Sequence, residues 1–328
     1  MKIIITIIFL WLSPTVFCTA QSDIETLTKK ITANIPSDSL KIKAIYTWIT
    51  QNINYDHQFR RQKEGDTTLT QEAYNVLKRK KAVCVGFSKL LKSMCAVQNI
   101  EAVVVYGYAK GQGFIYDYEG HAWNVVKLNH NWYLLDATWG SSGNLSAEKY
   151  LFSDPISFLE THIPTDPMWQ LMDKPITFEC FTNRKNCYTD ENLSFNYRDT
   201  IAAWYLLDSL GKEYNEAIRI LRFNENDTDA IRQLGGYYFQ KAFTYFAEYQ
   251  GIKQAIRSKK RKPDSAQFLL NLLDNAEYQI LGAKAQYEKL KTFAKKYRYT
   301  DAHMNLEIIE ENLAQLATER TFVKTYFK

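Results

Sequence analysis

The sequence predicts an α+β domain followed by an all-α region, and three observations carry that prediction. Between about residues 23 and 140, helical spacings of apolar residues give way to β-branched runs and a hairpin-like pair of segments. Beyond about residue 198, apolar or small residues recur at spacings of three and four. Gly (13) and Pro (7) are sparse in 328 residues while aromatics reach 14%, which disfavours collagen-like, linker-rich and turn-dense all-β designs. Hydrophobic residues at 46% and charged residues at 23% match ordinary globular usage, so neither a wholly disordered chain nor a multi-span membrane protein fits. The formal net charge of +5 is too small for a chain of this size to indicate a nucleic-acid partner.

The elements follow in order. Met1-Lys2, the apolar run Ile3 to Leu12, Ser13-Pro14 and Cys18-Thr19-Ala20 have the layout of a secretory signal peptide cut after Ala20. Residues 1–20 are therefore expected to leave the mature chain, and the location to be secreted or periplasmic. The apolar run is about ten residues, half of the roughly 20 that a membrane span needs, so no stable span is expected. A lipoprotein formed through Cys18 is the lesser alternative, because Phe17 is bulky where such processing favours a small residue.

Ile24, Leu27 and Ile31, then Ile42, Ile45, Trp48 and Ile49, define two helical faces separated by Pro36-Ser37-Asp38. A further helix through Ala73, Val76 and Leu77 stops at Lys78-Arg79-Lys80-Lys81, and Cys84 follows. Ser88 to Val97 is again helical, and Glu101 to Tyr108, with Val103, Val104 and Val105, reads as a buried strand. Two more strands, His121 to Leu128 and Trp132 to Thr138, are joined by Asn129-His130-Asn131. Residues 150–195 hold Pro155, Pro164, Pro167 and Pro175 and little periodicity, the mark of a wrapping segment or linker.

Three long helices are expected beyond that, with apolar or small seams through Leu234, Tyr238, Ala242, Tyr245, Tyr249, Ile252 and Ile256, through Leu269, Leu273, Ala276, Ile280, Ala283, Tyr287, Leu290 and Ala294, and through Leu306, Ile309, Leu313, Leu316 and Val323. The breaks between them are short, so sequence neighbours should be antiparallel, with Asp264 and Asp301 as caps. Gly211, Tyr214, Ala217, Ala230, Leu234, Gly235 and Tyr238 loosely resemble one tetratricopeptide-type repeat. Lys259-Lys260-Arg261-Lys262 reads as a solvated turn. The expected division is a leader over 1–20, a core domain over 21–180, a linker over 181–197, and a helical bundle or degenerate tetratricopeptide-like domain over 198–328.

Four cysteines remain after Cys18. Cys180 and Cys187 flank a polar, turn-like stretch and are expected to close a local loop as a disulfide, which export permits. Cys95 sits in an apolar helical pattern and reads as an inert core residue. Cys84 differs, because it follows a basic run and opens a helix, and nearby cations and a helix N-terminus both favour a thiolate. Cysteine chemistry also needs a base and a group that orients the base. With Asn129-His130 as a two-residue turn, Leu128 opposes Asn131, and His121 and Asp136 become diagonal neighbours on one face of the hairpin. The other histidines fit this pattern less well: His57 and His130 lie in polar turns, His162 precedes Ile163-Pro164, and His303 opens a charged helix. No histidine–cysteine pair has zinc-ligand spacing, and no phosphate-cradling glycine loop is present, so neither a metal nor a cofactor is expected.

The segments Val83-Cys84-Val85-Gly86-Phe87-Ser88, His121-Ala122-Trp123-Asn124 and Trp132-Tyr133-Leu134-Leu135-Asp136-Ala137-Thr138-Trp139, in that order and with the expected elements between them, resemble the core of the transglutaminase-like superfamily. The upstream Ala44-Ile45-Tyr46-Thr47-Trp48-Ile49 fits its helical entry. The likeness covers about residues 40 to 140, extends loosely to about 180 through Asp154-Pro155 and His162-Ile163-Pro164, and leaves out the C-terminal helices. It implies a papain-like fold with Cys84 as nucleophile, His121 as general base and acid, and Asp136 as the orienting carboxylate. The implied reaction is acyl transfer on protein or peptide amide bonds through a Cys84 thioester. Hydrolysis is favoured because members of bacterial type with a secretion signal resemble peptidases; cross-linking, and a non-catalytic binding or scaffold role through the helical region, are the alternatives. Trp123 and Trp139 flank the site strands and are candidates to wall a substrate groove, with core packing as the competing role. A protein partner through the helical region is a further expectation.

Overall fold

In the computed structural model, the described residues are 14–61, 69–110, 118–142, 147–185, 187, 195–258, 266–297 and 300–327. Residues 1–13 of the expected leader, the basic cluster from Lys259 to Lys262, and Asp264 lie outside them. Contacts divide the chain into two units, Met1–Pro175 with Phe181–Arg184, and Ile176–Cys180 with Lys185–Lys328.

Helix α1 (Pro14–Ile31) buries Ile24 and Thr28, and the Thr28 hydroxyl donates back to the Ile24 carbonyl at 2.7 Å. Ser37 caps α2 (Asp38–Asn52) by accepting from the Leu40 N–H. The apolar face of α2 buries Ile42, Ile45, Tyr46 and Ile49. Trp48, expected on that face, instead lies beneath the Lys80 ammonium, 4.3 Å from its ring centre. Strand β1 (Asn54–Tyr55) pairs in parallel with β2 (Lys81–Ala82), and between them run α3 (His57–Arg61) and α4 (Ala73–Arg79). Lys80 ends α4 in the left-handed region at φ 55° and turns the basic run toward α5 (Cys84–Val97).

A five-stranded antiparallel sheet follows, in the order β6-β5-β4-β3-β7. Its strands are β3 (Ala102–Lys110), β4 (Tyr118–Leu128), β5 (Asn131–Leu135), β6 (Leu151–Ser153) and β7 (His162–Pro164). Asn129 and His130 adopt φ 47° and 70°, the paired left-handed values of a two-residue hairpin turn. Leu128 consequently opposes Asn131, and Asn124 opposes Leu135. The strand expected to reach Thr138 ends at Leu135. Asp136 takes the N–H groups of Thr138 and Trp139 on its own side chain and starts α6 (Ala137–Gly140), so the backbone leaves the ladder there.

The proline-bearing segment carries short elements of its own, so it wraps the sheet and is not a bare linker. It supplies both edge strands, β6 and β7, together with α7 (Pro155–Leu159) and α8 (Phe178–Asn183). The prolines sit where a missing N–H costs little, Pro155 in the first turn of α7 and Pro164 at the end of an edge strand. Gly107 of β3 makes the β7 edge possible, since a Cβ there would lie 2.6 Å from the Trp123 ring and against the Ile163 carbonyl oxygen.

The second unit holds α9 (Tyr197–Leu206), α10 (Ser209–Phe223), α11 (Thr228–Arg257), α12 (Ala266–Tyr297) and α13 (Thr300–Tyr326). Asn196, Asp208 and Asp227 cap the first three. Asp301 falls within α13, which starts at Thr300. Most of the expected seams form one core from Ala242, Tyr249, Ile252, Leu273, Ala276, Ile280, Leu290, Ile309, Leu316 and Val323, with Tyr238, Tyr245, Leu306 and Leu313 only partly buried against it. Arg320 bonds Asp274 and Glu277 while Lys284 pairs with Glu310, which sets α12 and α13 antiparallel. Tyr249 and Lys253 both reach Glu319, and Arg257 lies over Phe322, which sets α11 and α13 parallel. Ala217, Ile220, Ala230 and Leu234 make a smaller core between α10 and α11. At 30 residues, α11 is almost as long as a whole two-helix tetratricopeptide repeat of about 34 residues. A bundle of long helices describes this unit.

Candidate active site

Cys84 is the first residue of α5 and is half-buried. Val83 before it is extended, and its N–H is accepted by the buried Gln71 side chain at 3.0 Å. Gly86 makes room for that support: a Cβ there would meet the Gln71 amide oxygen and lie 2.8 Å from Ala82 and 2.9 Å from Val76. The close approach at this turn is therefore made by the chain itself, through Gln71, Val76 of α4 and Ala82 of β2. Asn124 of β4 binds α5 to the sheet, its amide donating to the Ser88 carbonyl at 3.0 Å and the Val103 carbonyl at 3.2 Å.

That attachment brings the thiol to the sheet. His121 of β4 lies close enough to the Cys84 side chain to feel its charge, and its Nε2 lies 2.7 Å from Asp136 Oδ2. With Nε2 engaged by the carboxylate, Nδ1 is the ring nitrogen left for Cys84. All three residues singled out in the sequence thus come together, Cys84 at a helix start, His121 on a strand and Asp136 at a helix cap.

Asp136 is fully buried and its carboxylate is saturated. Oδ1 accepts the N–H groups of Thr138 at 2.8 Å and Trp139 at 3.1 Å, while Oδ2 accepts from His121 at 2.7 Å and from His162 Nε2 at 3.1 Å. Burial opposes the charge, but His121 and His162 outweigh it and hold the carboxyl below the usual carboxylate range. Burial likewise disfavours a charged His121, but Asp136 and then Cys84 outweigh it and push that ring up to about 10. The result is an imidazolium between a carboxylate and a thiol.

Sequence reasoning missed His162. It is completely buried, stacked on Phe158 with ring centres 4.2 Å apart, and met edge-on by Trp139 at 4.4 Å. Its Nδ1 lies 2.8 Å from the Thr161 hydroxyl. Burial pulls its pKa down to about 4, against the raising effect of Asp136. The one available signal was the His162-Ile163-Pro164 part of the loose family likeness.

The two tryptophans separate. Trp139 is partly exposed with its ring 6.1 Å from that of His121, so it can wall a groove. Trp123 has no exposed surface and packs on His162 and Phe158, which corrects the expectation that it contacts substrate. Cys95 is fully buried in α5, and burial pushes its thiol up to about 12. Cys180 and Cys187 are joined in a disulfide, with the Thr177 N–H donating to the Cys187 carbonyl at 3.2 Å. His121, Asp136 and His162 form a group of metal-ligand type, their donor atoms within 4.8 Å of one another. Their 2.7 and 3.1 Å contacts are hydrogen-bond distances, and four N–H donors already occupy the carboxylate. Among the described residues, no helix is long and apolar enough to cross a membrane.

Residues 25–137 match the family model of the transglutaminase-like superfamily. This part of the chain is similar to a transglutaminase-like core. Over 180 residues, half of this chain, the protein is 31% identical to the kyphoscoliosis peptidase of Mus musculus and 30% identical to that of Homo sapiens. The matched part is 27% of each of those proteins, so the chain spans about a quarter of the length of these curated relatives. Among solved structures, one described as a TGase aligns at 24% identity over 42% of this chain and 36% of that one, with a TM-score of 0.34. The transglutaminase-like fold supports cysteine-dependent acyl transfer in general.

Proposed function

We propose that the protein hydrolyses amide bonds in proteins or peptides through a thioester on Cys84, with His121 and Asp136 completing a catalytic triad. The observation that supports the reading is the 2.7 Å hydrogen bond between His121 and the buried Asp136, with the Cys84 side chain at a helix N-terminus near the same ring. Asp136 fixes the tautomer and orientation of His121 and stabilises its positive charge. The Cys84 thiolate attacks the amide carbonyl, and the oxyanion meets the backbone N–H of Cys84, one of the first-turn groups that no helical carbonyl satisfies. His121 gives its proton to the departing amine. It then takes a proton from water as the water attacks the thioester, which releases a carboxylic acid and restores the thiol.

Hydrolysis is preferred over cross-linking because the mouse and human relatives are named peptidases. The leader-like residues 1–20 support action in a secreted or periplasmic location. The test is a peptide library incubated with the protein and with Cys84→Ala, read for new carboxyl termini and, in parallel, for incorporation of a labelled primary amine. New termini that need Cys84 support hydrolysis. Amine incorporation without cleavage would make the enzyme a cross-linker, and neither product from any substrate would favour the scaffold role.

A further inference from the structure

Asp136 is held by four donors, two of them backbone N–H groups fixed by α6 and one the His121 ring. The fourth is a side chain that the proposed reaction does not use. We propose that His162 is a positioning residue for that reaction, donating its Nε2–H to Asp136 Oδ2 so that the carboxylate stays anionic and fixed in rotation while His121 carries the proton. The inference rests on the triad reading above and adds a fourth residue to it.

The site has a difficulty that His162 resolves. A buried imidazolium and carboxylate can lower their desolvation cost by passing the proton to the carboxylate, which leaves a neutral pair. A neutral His121 would stabilise the Cys84 thiolate less. Each hydrogen bond donated to the carboxylate lowers its basicity and keeps the proton on His121. With Asp136 fully buried, solvent cannot supply that bond.

The surroundings of His162 suit this task. The Thr161 hydroxyl lies 2.8 Å from Nδ1 and 3.5 Å from the Phe158 carbonyl, and its donation to the nearer Nδ1 leaves Nε2 as the protonated nitrogen facing the carboxylate. Phe158 and Trp139 hold the ring plane, and β7 brings the residue beside β3, with His162 opposite Ala109. The titratable groups facing it are Asp136, His121, Tyr150 and Lys149. A ring that stays neutral in this setting can donate without adding a second positive charge beside His121.

The experiment compares His162→Met with His162→Gln in the full chain. The two side chains are nearly isosteric, but only glutamine offers an N–H. The rate of Cys84 alkylation by iodoacetamide is read by peptide mass spectrometry across pH, beside melting curves for both variants. His162→Met should slow labelling at about pH 6 by roughly tenfold, the scale of one hydrogen bond to a charged group, while His162→Gln stays within about threefold of wild type. Equal rates in the two variants, whether both slow or both unchanged, would overturn the inference and reduce His162 to packing. Slow labelling of Cys84 in the wild type would overturn the triad reading itself. A second measurement needs no variant: nitrogen NMR of histidine-labelled wild-type protein should find His162 protonated at Nε2 and bare at Nδ1. The opposite tautomer would leave Asp136 without this donor and end the proposal.

Discussion

The two units bury different kinds of surface. The C-terminal unit encloses an apolar seam, Leu273, Ala276, Ile280, Ala283, Ile309 and Val323, and its main polar cluster, Glu319 with Tyr249 and Lys253, is only part-buried. The transglutaminase-like unit places a carboxylate and one imidazole entirely out of solvent, with a second imidazole almost so. Removing such groups from water costs several kcal/mol per ion unless they are fully paired, and an apolar trio of similar volume would be at least as stable. The seam can be explained by stability alone. The Asp136 cluster is harder to explain that way, and this contrast is what the proposed active site rests on.

Substitutions can break or sharpen the contrast, beginning with the largest effect. Cys84→Ala should abolish acyl transfer, by about a thousandfold or more, and leave the melting temperature nearly unchanged, because Cys84 is half-buried and its partner His121 keeps Asp136. A large loss of stability would place Cys84 in the core instead. Asp136→Asn should lower the rate by a comparable factor and also destabilise, because an asparagine has one acceptor oxygen where four N–H groups now converge. Unchanged stability would mean that those donors find other partners. In the other unit, Leu273→Ala should cost about 2–5 kcal/mol in denaturant unfolding and leave Cys84 labelling untouched.

The buried cluster also sets a pH dependence that the seam lacks. His162, pulled down to about 4, stays neutral in the fold while the unfolded chain's histidine takes up a proton near 6.5, so stability falls as pH drops from about 6.5 toward 4. His121, pushed up to about 10, contributes stability that is fully present below about 6.5 and is lost as pH rises toward 10. Asp136, held below its usual range, adds a loss at still lower pH. Melting temperatures should therefore peak near pH 6.5, with His162→Gln flattening the acid limb; a level profile from about pH 5 to 9 would contradict the coupling. The smallest effect belongs to the bundle surface, where Arg320→Ala removes ion pairs to the mostly exposed Asp274 and to Glu277 and should cost under about 1 kcal/mol.

What was legible in the sequence was local. A basic run before a cysteine that opens a helix, and the Asn129-His130 turn that sets the hairpin register, each depend on a few adjacent residues. The bundle seams were legible because helical spacing repeats over many turns. The end of β5 was not, since strand alternation through Asp136 competes with its capping of α6, and only the cap saturates the carboxylate. His162 was hidden for a topological reason. It reaches Asp136 because β7 pairs with β3, some fifty residues earlier in the chain, and no local pattern announces that pairing. The same pairing, admitted at Gly107, helps bury Trp123, while Trp139 stays partly exposed.

The central claim is that Cys84 and His121 form an activated pair, and the most direct test is competitive alkylation within one molecule. Iodoacetamide at limiting concentration, applied from about pH 5 to 9 and read by peptide mass spectrometry, compares Cys84 with Cys95, a buried thiol that serves as an internal control. The account predicts that Cys84 labels rapidly even near pH 6, that Cys95 stays unmodified, and that His121→Ala slows Cys84 sharply. Labelling of Cys84 that rises only near the ordinary thiol value of about 8.5, with no response to His121→Ala, would contradict it.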